Sequence, residues 1–456
     1  MHSINTIIGK ICSYPPIKIA ISKNTRIVSF FHSSHYWGGQ LQLVATNKGV
    51  TRGLKTNTES RFYALILQAL SVRDHQSSLL ELCNRPDATH SVNGLTPVNK
   101  DVVTTIFDLE RWNLTDQLIR ICKPLVNIIG DVESRDANLA DCMLQLIWAY
   151  RTVQRVTHQE GDDPEFARHA MEVLTAEFHA LNTNLHWFAL FLHPLCRKLA
   201  ICAVTHSHTL KDSIRIAFGI AKKWNWSEVM AQKLARDLKD YFVGKDPFAG
   251  GRRDARDWWT SLVATAADHP LKAMAIRIFA IVPHTADVER YFSSLGLVQS
   301  KKQAHFTTEH MQSIGTLRHH YVYEIQRALL AQGKPIRCQH AHMHTSIEPG
   351  INLDRAKELT EDYTWVPTVE DENEAVTEED VEAEFARLSE YEDVAPEGDQ
   401  LNKRILIEDV YDISVLDEIW KGKVTITVEE ELGLAKAGDK GRPWDPDVLM
   451  QTLGIE

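Results

Sequence analysis

Paired cysteines are missing from this sequence. The seven present, Cys12, Cys83, Cys122, Cys142, Cys196, Cys202 and Cys338, are odd in number and scattered, and no Cys-x-x-Cys is partnered by a downstream histidine pair. This pattern excludes a disulfide framework or a zinc finger and fits a reducing compartment. A basic excess is missing too: 50 Lys and Arg stand against 61 Asp and Glu, a formal net charge of -11. A protein that binds nucleic acid unaided usually shows a basic face, so the overall balance argues against that class and leaves only a local groove open. The opening stretch MHSINTIIGKICSYPPIKIAI lacks a basic leader and a continuous apolar run. It reads as neither signal peptide nor membrane span, and an intracellular protein is expected. No repeat of fixed period is visible, which disfavours a solenoid.

What is present is enough apolar material for a folded body. With 44% hydrophobic and 24% charged residues, the composition is that of a globular protein. The 456 residues suffice for one large core or two to three ordinary ones, at roughly 100–200 residues per domain. Apolar residues recur at helical spacing: Tyr63, Ile66, Leu67 and Leu70 form one stripe, and Leu118, Ile121, Cys122, Leu125, Ile128 and Ile129 another. The stretch Cys83 to Pro97 collects turn formers and predicts a loop. A second break at His158 to Pro164 predicts that Asp163 caps a helix opening at Pro164. A loop at Gly244 to Arg253 precedes a module ending near Gly296. Beyond Arg337 the chain turns polar and acidic up to Gln400, as a flexible tail does. The final segment has short helix or strand potential and is expected to dock back or to pair with a partner.

Several short motifs stand in an order that resembles the hAT transposase family. They are Trp258-Trp259, then His269-Pro270-Leu271, the apolar stretch Ala275 to Val282, Pro283, and Thr285-Ala286-Asp287-Val288-Glu289-Arg290-Tyr291-Phe292-Ser293. The last block resembles the family's Ser-Ala-x-x-Glu-Arg-x-Phe-Ser, with Thr285 in place of the opening serine. Upstream, Lys123-Pro124-Leu125-Val126 followed by Ile129 and Glu133-Ser134 resembles a helix of the family's inserted helical domain, and Leu192-His193-Pro194 resembles the family's Leu-x-Pro or Leu-His-Pro segment. Glu59-Ser60-Arg61-Phe62 sits where members show Thr-Arg-Trp, and His2-Ser3-Ile4-Asn5 is similar to the end of a Cys-x-x-His-x-x-Asn motif. The likeness covers roughly residues 1 to 325.

The resemblance implies a ribonuclease-H-like catalytic core interrupted by a helical insertion, with three carboxylates holding two Mg2+ or Mn2+ ions. Paired cations about 4 Å apart stabilise both the attacking and the leaving oxygen of an in-line displacement. Glu289 matches the third acidic position. The first two would precede Met1, so the chain is expected to need no cofactor and not to cut DNA by itself. A carboxylate near a helix start is the plainer reading of Glu289. Arg61, Phe62 and Arg290 are candidate DNA contacts, the Phe62 ring stacking on an exposed base. Against that, Phe62 followed by Tyr63 and Leu65 is also an ordinary buried helix start. Trp258, Trp259, Phe279, Tyr291 and Phe292 are expected in the core or at a dimer interface. The tract Cys338 to His344 and the pair His206 and His208 near Cys202 could bind a metal adventitiously, though incidental histidines explain both. The acidic run is a solvated tail, or else a mimic of DNA in a basic groove.

The expected architecture is therefore mainly α, with a large helical insertion domain packed on the remnant of a ribonuclease-H-like α/β core. Residues 1–58 are assigned to that remnant, 59–243 to the insertion, 250–330 to the dimerisation region, 338–400 to an acidic disordered linker and 401–456 to a short C-terminal segment. The expected partner is a second copy of the chain, with DNA as a further candidate and neither membrane nor small-molecule substrate. The expected compartment is the nucleus or nucleocytoplasm. Two rival readings are the C-terminal part of an active transposase and a helical protein-binding scaffold.

Overall fold

Prolines in first turns, and polar side chains just before helices, punctuate this chain into a run of helices. The computed structural model describes residues 2–50, 52–56, 62–92, 94–132, 137–156, 158–201, 208–252, 254–283, 307–332, 405–413 and 444–455, with 379, 382–383, 385–386 and 416. In order the helices are α1 (His2–Cys12), α2 (Pro15–Ser33), α3 (His35–Asn47), α4 (Phe62–Asp74), α5 (Gln76–Cys83), α6 (Pro86–Thr89), α7 (Lys100–Ile106), α8 (Leu109–Val132) and α9 (Leu139–Gln154). There follow α10 (Pro164–Leu181), α11 (Asn184–Leu192), α12 (Leu210–Lys223), α13 (Glu228–Val243), α14 (Ala255–Ser261), α15 (Pro270–Phe279), α16 (Thr308–Ala331), α17 (Ile407–Val410) and α18 (Pro446–Thr452). The protein is mainly α. Among the described residues there is no strand, only a single bridge between Val92 and Leu95, and residues 2–50 contribute three helices.

Local chemistry explains the helix starts. Asp163 caps α10, its carboxylate accepting from the Glu165 and Phe166 amides, with Pro164 at the first helical position. Asn138 with Asp141 and Thr209 with Asp212 form reciprocal capping boxes on α9 and α12. Gly244 ends α13 at φ 72°, a left-handed conformation that costs glycine nothing. The predicted loop from Cys83 to Pro97 holds one short turn of helix, α6, opened by Pro86.

Two helices are buried all round, and the rest wrap them. Every residue of α4 from Phe62 to Ala69 is buried, because α1, α2 and α8 cover it. In α11, Trp187 to Leu192 are all buried, with α9 along its flank and α12 and α15 against it. A helix apolar on every face must be covered on every face, so these two organise the packing. One continuous apolar core extends from Ile4 in α1 to Ile455 after α18. It includes residues on both sides of 58/59 and of 243/250. A smaller cluster gathers Trp37, Val72, Leu79, Ile106 and Trp112.

Buried polar groups fix how the helices register. Asn5 of α1 accepts from the Tyr63 amide at 3.1 Å, capping the start of α4 from a neighbouring helix. Arg111 donates to Asn24 Oδ1 at 2.6 Å and to Thr105 O at 2.9 Å, above the Trp112 ring. Burial pulls its guanidinium down to about 10.

The C-terminal segment docks back on the body. Tyr411 is buried edge-on to Phe178 and takes a hydrogen bond from Asn182 at 3.2 Å. His179 Nε2 donates to Ile405 O at 2.8 Å, and Trp444 donates to Trp226 O at 2.9 Å.

Asp163 joins two segments as well as capping one, since Tyr14 donates to its Oδ2 at 2.9 Å. Replacing it (Asp163→Ala) is expected to cost about 1–2 kcal/mol, the worth of a cap plus a part-buried hydrogen bond. Urea unfolding with an unchanged m-value checks this, and an unchanged midpoint would refute it.

Candidate functional site

Three of the motifs meet in one place. Trp259 of α14 donates its indole N–H to the carbonyl of Leu192, where α11 ends, at 2.9 Å. Its ring stands edge-on to Trp258 with centroids 4.9 Å apart, and lies 5.2 Å from Tyr241 and 5.8 Å from Phe248. Tyr241 donates its hydroxyl to Phe191 O at 2.9 Å, and burial pushes that phenol up. His269, first residue of the His-Pro-Leu motif, stands at right angles to the Phe248 ring with centroids 5.5 Å apart.

Arg197 sits at the centre of this aromatic hub. Its guanidinium donates to the carbonyls of Pro194 at 3.0 Å, Tyr241 at 2.8 Å and Phe248 at 2.9 Å, and also to Gly250. It lies over the rings of Tyr241 and Trp258, 4.9 and 5.9 Å from their centroids. Among the described residues no carboxylate pairs with it, so carbonyl dipoles and π faces hold the charge. Lys272, 4% exposed, also donates to backbone carbonyls, to Leu262 O at 2.9 Å and Ala264 O at 3.2 Å.

Asp237 of α13 locks the His-Pro-Leu motif. One oxygen accepts from His269 Nδ1 at 2.9 Å and the other from the Leu271 amide at 3.2 Å, so it caps α15 from a neighbouring helix. Burial raises its carboxyl above the usual range against the opposing pull of these two bonds. Beside the hub lies an open cleft of about 530 Å³, lined by Asp246, Pro247, Arg252, Trp258, Ser261 and Leu262 among others.

Of the residues selected from the sequence, Trp258, Trp259 and Phe279 lie in the core, none more than 4% exposed. Phe62 is 5% exposed at the start of α4. A β-carbon on Gly9 would meet its ring at 2.5 Å, and the Phe385 ring covers it at 5.6 Å. Phe62, a candidate DNA contact by its motif, is thus a buried ring at a helix start in this fold. Glu289, Arg290, Tyr291, Phe292 and Arg61 lie outside the described residues, as do Cys202, His206 and the tract Cys338 to His344. His208 is stacked between Trp187 and Tyr411 and meets Asn182 at 3.4 Å. Among the described residues no three His, Cys, Asp or Glu are grouped to hold a metal ion, and no helix is long and apolar enough to cross a membrane.

Reading the sequence does not single out Arg197, Lys272, Asp237 or Gly9. Only Asp237 left a signal, a charge within the buried stripe Leu234, Leu238 and Tyr241 of α13. Against protein-family profiles, curated proteins and solved structures, the chain gives no match.

Removing the guanidinium strands the buried carbonyls of Pro194 and Phe248 at once. Arg197→Leu is expected to destabilise the fold by about 3–5 kcal/mol or prevent its recovery, at ~1–3 kcal/mol for each orphaned acceptor. Trp259→Phe keeps the ring but loses the bond to Leu192 and should cost about 1–3 kcal/mol. Thermal unfolding followed by tryptophan fluorescence checks both, and an unchanged midpoint in Arg197→Leu would remove Arg197 from its central role.

Proposed function

We propose that this chain is a hAT-transposase-derived protein whose own activity is self-association through the region 250–330. Residues 1–58 are the remnant of the ribonuclease-H-like core under this reading, 59–243 the helical insertion and 338–400 an acidic linker. Glu289 is the ancestral third metal-binding carboxylate. One carboxylate cannot bracket two cations, so association rather than strand cleavage is the activity assigned to these residues taken alone. The compartment is nuclear or nucleocytoplasmic.

One observation supports association above the others. In α16, Leu317, Tyr321 and Ile325 recur every four residues along one face and are 56%, 63% and 59% exposed. Val263 and Val282, in the same region, are 100% and 52% exposed. Single exposed apolar residues are ordinary, but a row at helical spacing is what an interface presents. Tyrosine is also among the residues enriched at such contacts.

Light scattering coupled to size exclusion tests the reading. The expected mass at micromolar concentration is twice that of the chain. Replacing Leu317, Tyr321 and Ile325 together by glutamine, a good helix former, is expected to give monomers with unchanged helical circular dichroism. A wild-type chain that runs as a monomer would overturn the proposal.

A further inference from the structure

The contact between the acidic segment and the helical body has the form of a ligand in a receptor site. Glu379, Glu382, Ala383 and Ala386 are exposed, while Phe385 in their midst is 7% exposed. Its ring lies against Phe62 with centroids 5.6 Å apart. Lys18 of α2 reads the segment twice: its Nζ is 3.2 Å from Glu382 Oε1 and 5.3 Å from the centre of the Phe385 ring. Residues three apart share one face of a helical turn, so a single ammonium can meet a carboxylate and an aromatic ring spaced as Glu-x-x-Phe. The floor is built for this: Gly9 lets the Phe62 ring lie directly on α1, where a methyl group would collide with it, and the Phe385 ring packs tilted on that same Phe62 ring.

We propose that the surface formed by Lys18, Gly9 and Phe62 is a binding site for an acidic peptide of the form Glu-x-x-Phe, occupied in cis by Glu382 and Phe385. The hold is exchangeable. One ring is its only buried anchor among the described residues of the segment, and the ion pair is screened, with the Glu382 side chain 74% exposed. A tethered ligand competes through an effective concentration on the order of mM, enough to occupy such a site in cis and to exclude the same motif in trans.

The test uses the full chain and a fluorescein-labelled peptide of residues 376–390, followed by anisotropy. Vacating the site with Phe385→Ala is expected to tighten peptide binding about tenfold over wild type, by removing the tethered competitor. Glu382→Lys, which alters only an exposed side chain, is expected to tighten it about threefold and serves if Phe385→Ala is poorly folded by circular dichroism. Adding Lys18→Glu to either variant, or replacing phenylalanine by alanine in the peptide, should abolish the gain. Equal binding by wild type and both variants, or no binding by any, would overturn the proposal.

Discussion

A buried guanidinium that finds carbonyls instead of a carboxylate holds the second half of this molecule together. Arg197 gathers the segment after α11, the last turn of α13 and the loop after α13 by donating to four backbone oxygens. Those of Pro194 and Phe248 are buried and lie in connecting segments, where no helix ladder supplies a donor. Arginine suits the task because its planar fork carries five donors and cannot give up its charge in the folded protein. The aromatic walls of Tyr241 and Trp258 stabilise that charge without adding a second ion to desolvate.

The first half is organised differently, by α4. Because that helix is apolar on every face, α1, α2 and α8 close around it. The polar contacts Asn5 to Tyr63, Thr25 to Gln68 and Arg111 to Asn24 set their register. Apolar burial is non-directional, whereas a buried hydrogen bond made in only one register penalises every other. Asp237 plays the corresponding part between α13 and α15.

These constraints bear on what the motifs mean. Leu192-His193-Pro194, Trp258-Trp259 and His269-Pro270-Leu271, far apart in sequence, are the parts of one packed hub. Their chemistry is carbonyl capping and ring packing, with no arrangement for catalysis among the described residues. A set of motifs that builds a scaffold is compatible with the association proposed for the region they begin. The acidic segment adds a second kind of contact, because it touches the body through one ring and one exposed ion pair.

Much of the helical layout follows from local sequence. The stripes around Tyr63 and Leu118, the cap at Asp163 and the break at Gly244 are decided by side-chain periodicity and backbone preference, which act within a few residues. The docking of the C-terminal segment, which the sequence left open against pairing with a partner, rests instead on contacts with distant helices. The burial of the two tryptophans follows from their size and apolarity. What tertiary structure alone decided is which polar groups went inside. Arg197, Lys272 and Asp237 look in the sequence like surface charges, and Gly9 like an ordinary helix residue. Their roles depend on carbonyls, amides and a ring brought close by distant segments. The surroundings of Phe62 depend on the fold in the same way, since only the folded chain brings Gly9 and Phe385 close to its ring. Periodicity reports that a face is buried; it carries no information on what that face will meet.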